Sequence, residues 1–220
     1  MSAKSSLAVT PQARPAEPPG KDVATRTRHW VPIRTLHAGH RAKVQAHLLA
    51  LNDEDRATRF GHAISDERIA HYAEQIDFDR DRVFGTFDRR LELLTLAHLA
   101  LDREHGVAEF GVSVLPRARG RGLGTRLFAH AVMHARNRGV HTLYIHVARD
   151  NTQMMAIVQH AGAVIDFEGS DATAELPLPA LTLGTQIEEL LANQAAAVDF
   201  RFKRHALELD ALRPGLPPES

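Results

Sequence analysis

The spacing of apolar positions along the chain divides it into short elements of alternating type. From His29, HWVPIRTL reads as a first strand, and Pro32 points to a sheet edge because proline cannot donate to a ladder. HRAKVQAHLLAL then sets Val44, Leu48 and Leu51 on one face at helical spacing. A second helix opens at Ser65 over SDERIAHYAEQI, with a capping hydroxyl and with Asp66 and Glu67 where the helix dipole favours acids. RVFGTF, LELLTLAHLAL and VAEFGVSVL follow as apolar runs joined by polar turns at DRR and DREHG, the pattern of an antiparallel meander.

Beyond the meander the spacing alternates between helix and strand. A helix is predicted from about 122 to 138, a strand at HTLYIHV, a helix from Asn151 to about 161, and strands at AVIDFE and around TAEL. A stripe of Ile187, Leu190, Leu191, Ala195, Val198 and Phe202 predicts a long helix from about 185, ended by Pro214, Pro217 and Pro218. That helix either caps the core or forms a homodimer contact. Residues 1–28, with Pro11, Pro15, Pro18, Pro19 and few large apolar groups, cannot repay the entropy of folding and read as a disordered tail. The chain therefore divides into a tail at 1–28, an α/β domain at 29–180 and a helical extension at 181–220.

Composition narrows the partners. The 220 residues carry 27 basic and 27 acidic side chains, which argues against a dedicated nucleic-acid binder. The absence of cysteine excludes disulfides and thiolate metal sites. No apolar run approaches the length of a membrane span, and the first residues lack the apolar core of a secretory signal. The prolines, Glu17 and Asp22 also fit a mitochondrial transit peptide poorly, so a cytoplasmic protein is expected. The 14 histidines are scattered and no H-E-x-x-H occurs, so no metal is expected.

The stretch RGRGLGTRLF (119–128) carries the most specific chemistry. Gly120, Gly122 and Gly124 stand at a strand-to-helix turn, where free backbone amides and the positive helix end make an anion site. Glycines there let a phosphate approach without interference from Cβ atoms. The string fits neither G-x-x-x-x-G-K-[ST] nor G-x-G-x-x-G, since the sixth position is Thr125 from Gly120 and Leu127 from Gly122.

Following VSVLP, this turn resembles the R/Q-x-x-G-x-G/A pyrophosphate loop of the GNAT N-acetyltransferases. DNTQMMAIVQHAGA (150–163) resembles that family's N-x-x-A/M-x-x-L-Y-x-x-x-G-F segment through Asn151, Met154, Ile157 and Gly162. The resemblance spans roughly 29–176 and implies the GNAT (acyl-CoA N-acyltransferase) fold, a mixed, mostly antiparallel sheet with helices on both faces. It implies that backbone amides from Arg119 to Thr125 hold the pyrophosphate of acetyl-CoA, with charge from Arg119 and Arg121. It implies further that Val112 and Val114 pair through their backbone with the pantetheine arm, where two strands splay apart, and that Asn151 meets the cofactor near that opening.

Acetyl transfer needs a base for the amine, a donor for the thioester oxygen and relief for the departing thiolate. Alternation along VAEFGVSVL puts Glu109, Gly111 and Ser113 on one face, and Gly111 would leave a gap beside the acid for substrate. AEFGVSV also resembles the family's bacterial protein-lysine acetyltransferases, whose catalytic glutamate stands at the matching place, which nominates Glu109 as general base. The plain alternative is a solvated strand carboxylate. The family's usual tyrosine acid is replaced by Val158, and its terminal phenylalanine by Ala163. That departure keeps open a non-catalytic acyl-CoA sensor as the rival to an amine acetyltransferase. With a DREHG turn centred near residue 104, His98 pairs with about Phe110, near enough to orient Glu109; His146 and His160 flank the cleft. NDEDRATRFGHAISDERI resembles the segment walling the acceptor site in those relatives, so Arg56, Arg59 and Phe60 either shape that wall or belong to a solvated helix start.

Overall fold

The computed structural model describes residues 31–179. The proposed tail and the helical extension with its apolar stripe lie outside the described residues. The elements run β1 (Arg34–Leu36), α1 (Arg41–Leu49), α2 (Asp53–Phe60), α3 (Asp66–Gln75), β2 (Arg82–Phe87), β3 (Leu93–Asp102), β4 (Val107–Val114), α4 (Leu123–Arg136), β5 (Thr142–Ala148), α5 (Thr152–His160), β6 (Val164–Glu168) and β7 (Asp171–Pro177).

Seven strands form one sheet in the order β1-β2-β3-β4-β5-β7-β6. Every pair is antiparallel except β4 with β5, so the sheet is mixed. The strand after Pro32 is the edge strand β1, as its sequence predicts. β3 lies inside the sheet and is buried on both sides, which is why LLTLAHLAL reads as a nearly continuous apolar run. Its Leu96 joins Val44, Leu48 and Ile69 of the α1 and α3 face, while Leu99 joins Leu127, Phe128 and Ala131 of the α4 face. Burying each of the valine, leucine, isoleucine and phenylalanine side chains contributes about 1.5–3 kcal/mol.

Two features depart from the sequence reading. α2 is a helix of its own: Asn52 accepts a hydrogen bond from Asp55 N (2.8 Å), Asp53, Glu54 and Asp55 fill the first turn, and Gly61 closes it at φ 76°. The β3–β4 register also differs by one residue, with His98 opposite Gly111 and Leu99 opposite Phe110. A one-residue slip exchanges faces. His98 therefore shares the α1–α3 face with Glu109 and Gly111, rather than the Phe110 face.

Candidate active site

β4 and β5 pair over only three positions, Val107 with Thr142, Ala108 with Leu143 and Glu109 with Tyr144. From Phe110 onward β4 pairs with β3 alone, so its other edge faces an opening where a ligand's polar groups can add as a further strand. A cavity of about 1320 Å³ occupies this opening, lined by Val112 and Val114 of β4, the start of α4 and the start of α5.

The glycine turn forms the anionic end of that cavity. Gly120 and Gly122 have left-handed backbones (φ 72° and 68°), which is why glycine is required at both. Gly122 caps α4 without any side-chain acceptor, and no acid lies in the first turn, so the leading amides of α4 are left to a ligand. Gly124 differs. Its backbone is helical, and a Cβ there would meet only Val114 Cγ2 at 3.9 Å, so nothing inside the protein demands glycine at this position.

The other residues expected to meet the cofactor have contacts within the protein. Thr125 and Asn151 line the cavity. The Asn151 carboxamide oxygen accepts from Met154 N (3.0 Å) and so caps α5. Arg119 reaches across to the Asp55 carboxylate and donates through Nε to the Val114 carbonyl (3.2 Å). Arg121 is exposed and donates to the Arg117 carbonyl (3.2 Å).

Glu109 stands where β4 and β5 part. It is exposed and lines a separate hollow of about 390 Å³ with Arg80, Tyr144 and His146, rather than the large cavity. The expected gap beside it is filled. A Cβ at Gly111 would overlap the Arg59 guanidinium, so the glycine accommodates Arg59 instead of substrate. Nor does His98 orient Glu109. His98 Nε2 donates to Asp81 Oδ2 (3.0 Å), and Nδ1 pairs with the Tyr72 hydroxyl (2.6 Å). Burial pushes the Asp81 carboxyl upward, but hydrogen bonds from His98 and Arg80 outweigh it and hold the group well below the usual carboxylate range. Sequence reasoning missed Tyr72 and Asp81. The signals were faint: one tyrosine in an amphipathic helix, and one acid just before a strand.

Among the α2 arginines, Arg56 pairs with Asp66 (2.6 Å) and donates to the carbonyls of Leu49 (2.8 Å) and Leu51 (3.0 Å), fastening α1, α2 and α3 together. Arg59 lines the large cavity, and Phe60 packs edge-on against Tyr72 at 5.2 Å between centroids. His160 lines the large cavity, whereas His146 belongs to the smaller hollow. Val158 is fully buried, so α5 presents no acid at the position of the missing tyrosine.

Residues 43–163 match the family model described as "Acetyltransferase (GNAT) family", more than half of the chain. The chain belongs to the GNAT acetyltransferase family. Its sheet is similar to the GNAT domain of S. lividans PAT (TM-score 0.56, 19% identity, covering 66% of this chain and 89% of that one). It is similar too to spermidine N-acetyltransferase from Vibrio cholerae in complex with CoA and spermine (TM-score 0.51, 19% identity, covering 66% and 92%). No curated protein matches the sequence. The GNAT family uses acetyl-CoA as its acyl donor. The residues present fit that donor: a helix start with no side-chain cap behind two left-handed glycines for the phosphates, and a parted strand for the amide-bearing arm. Among the described residues no helix is long and apolar enough to cross a membrane, and no cluster of three or more His, Asp or Glu side chains suits a metal.

Proposed function

We propose that the protein transfers the acetyl group of acetyl-CoA directly to a primary amine, on a protein lysine or a small molecule, in a ternary complex with Glu109 as general base. The observation that carries this reading is the parting of β4 from β5 immediately beyond Glu109, with the glycine-capped start of α4 in the same opening. On this reading the amides of Gly120, Gly122, Gly124 and Thr125 hold the pyrophosphate, and Arg119 and Arg121 add charge once Arg119 leaves Asp55. The Val112 and Val114 backbone pairs with the pantetheine arm. Asn151 keeps its oxygen on the helix cap and offers its NH₂ to the cofactor.

Acetyl-CoA supplies an activated thioester carbonyl. Glu109 takes the proton of the attacking ammonium or amine, directly or through a water, as the new C–N bond forms. The acceptor enters from the side of the Glu109 hollow, and the domain that does this work spans about 29–180.

Thiol release from acetyl-CoA across a panel of amines tests the reading. The parent releases thiol with at least one amine class, and Glu109→Gln lowers kcat by about 10²–10⁴-fold with acetyl-CoA affinity unchanged. Equal rates in parent and variant would remove Glu109 from the mechanism. The absence of a tyrosine acid on α5 supports a second reading, a non-catalytic acyl-CoA sensor; tight CoA binding with no thiol release for any amine would favour it.

A further inference from the structure

The missing tyrosine leaves the departing sulfur without its usual partner, and among the described residues the Arg59 guanidinium lines the cavity without an ion pair. Arg59 lies against Gly111, one strand position beyond Glu109 on the same face, and lines the large cavity. No carboxylate pairs with it among the described residues. Its hydrogen bond is a single one, from Nη2 to the Tyr72 hydroxyl (2.9 Å), and its Nε is buried without a partner. A guanidinium has five N–H donors, so most of this one's capacity is unspent.

The arginine is held by a chain that runs into the core. Asp81 is 1% exposed and accepts from Arg80 Nε (2.8 Å) and Leu101 N (3.3 Å) as well as from His98. An ionised carboxylate only accepts, so His98 carries its proton on Nε2 and its Nδ1 accepts from the Tyr72 hydroxyl. The Tyr72 oxygen is thereby turned to accept from Arg59. Phe60 and Tyr72 lie beneath the guanidinium, 5.1 and 5.7 Å from ring centroid to charge. Asp81, His98 and Tyr72 line neither hollow, so they act through Arg59 and are positioning residues.

We propose that the Arg59 guanidinium, fixed over Gly111 by the Asp81–His98–Tyr72 chain, stabilises the thiolate that leaves the acyl-CoA thioester. This inference rests on the acetyl-CoA reading above, in which pantetheine pairs along Val112 and Val114 and the thioester falls beside Gly111. As the amine nitrogen bonds to the acyl carbon, the C–S bond breaks and sulfur departs with its electron pair. The amine proton passes to Glu109, and the thiolate rests against Arg59 until solvent protonates it.

A bound thiolate that is stabilised binds more tightly than the thiol. The affinity of CoA therefore rises with pH from the bound thiol's lowered value up to its free value, which for an alkyl thiol lies above the cysteine value of about 8.5, and is flat outside that window. Other titratable groups stand around Arg59: His47 of α1, Glu54 and Asp55 of α2, Tyr72 of α3, His98 of β3 and, on the same face of β4, Glu109. Desulfo-CoA, which lacks the sulfur, reports their contribution alone.

The test is calorimetric titration of the full chain with CoA and with desulfo-CoA at about pH 6.5 and about pH 10, the second well above the cysteine thiol value of about 8.5. The parent's preference for CoA over desulfo-CoA grows about tenfold between the two, the lower end of what a charge-assisted hydrogen bond provides. Arg59→Met abolishes that growth while desulfo-CoA still binds; Arg59→Lys retains part of it. Tyr72→Phe reduces it without changing desulfo-CoA affinity, an effect that a structural tyrosine would not have. A parent preference that does not change with pH, or one that survives in Arg59→Met, overturns the inference while leaving the cofactor site standing. If neither ligand binds, the acetyl-CoA reading falls and the inference with it.

Discussion

Gly124 separates fold from function at a single position. Its helical backbone and open surroundings mean that Gly124→Ala relieves the entropic cost of glycine, so the variant gains about 0.5–1 kcal/mol of stability. The same methyl group intrudes where phosphates approach the start of α4. Thermal unfolding should therefore show a more stable protein and calorimetry a weaker CoA complex; unchanged affinity would mean that the open space serves no ligand. Gly122→Ala behaves differently, because its left-handed backbone makes alanine strained, and it loses both stability (about 1 kcal/mol) and affinity. The turn at Gly120 and Gly122 was legible in RGRGLGTRLF because a turn is local. Gly111 was misread for the opposite reason. The side chain that fills its space comes from Arg59, far away in sequence, and no local pattern announces such a contact.

At the scale of elements, the long periodic helices and the strands of the meander follow their apolar spacing closely. α2 did not, because none of its residues is buried and it offers no apolar stripe to read. Its evidence lies in its ends, Asn52 and the acids behind it at one and Gly61 at the other. Asn52→Ala removes the cap and costs about 1 kcal/mol in urea unfolding. Because α2 carries Arg59 and Asp55, the same variant should also weaken the pH-dependent preference for CoA over desulfo-CoA; an intact preference would show that the cap does not fix Arg59. The β3–β4 register was off by one residue because a polar turn of several residues admits neighbouring centres. That small error moved His98 onto the other face and concealed its link to Asp81 and Tyr72.

The whole molecule has histidines that acid should find. His47 lies buried between the Leu93 carbonyl (2.9 Å) and the Ser113 hydroxyl (2.8 Å), and burial lowers it to about 4. His40 is likewise lowered to about 4 and His134 lower still, in each case chiefly by burial. The unfolded chain takes up these protons near the ordinary histidine value, before the folded protein does. Stability therefore falls as pH drops from about 6.5 toward about 4, by about 1.4 kcal/mol per pH unit for each such histidine. Denaturant unfolding across that range should show the slope, and His47→Gln should flatten it by about one proton; an unchanged slope would show that His47 does not carry its share. Depressed Asp81 adds a further loss at lower pH, below the ordinary carboxylate value near 4.

The family and its sheet were legible because the phosphate turn, the Asn151 segment and the element order lie in consecutive residues. The proposed reaction end was not, because Arg59, Tyr72, His98 and Asp81 come from four separate segments that meet only in the fold. A crystal structure of the full chain with acetyl-CoA bears on both ends at once. The pyrophosphate should lie on the amides of Gly120–Thr125, with the pantetheine arm along Val112 and Val114. The thioester should lie beside Gly111, with its sulfur against Arg59 and its carbonyl carbon open to the side of Glu109. A cofactor whose phosphates sit away from the glycine turn, or whose thioester lies outside the opening between β4 and β5, would contradict the assignment of this site to acetyl transfer.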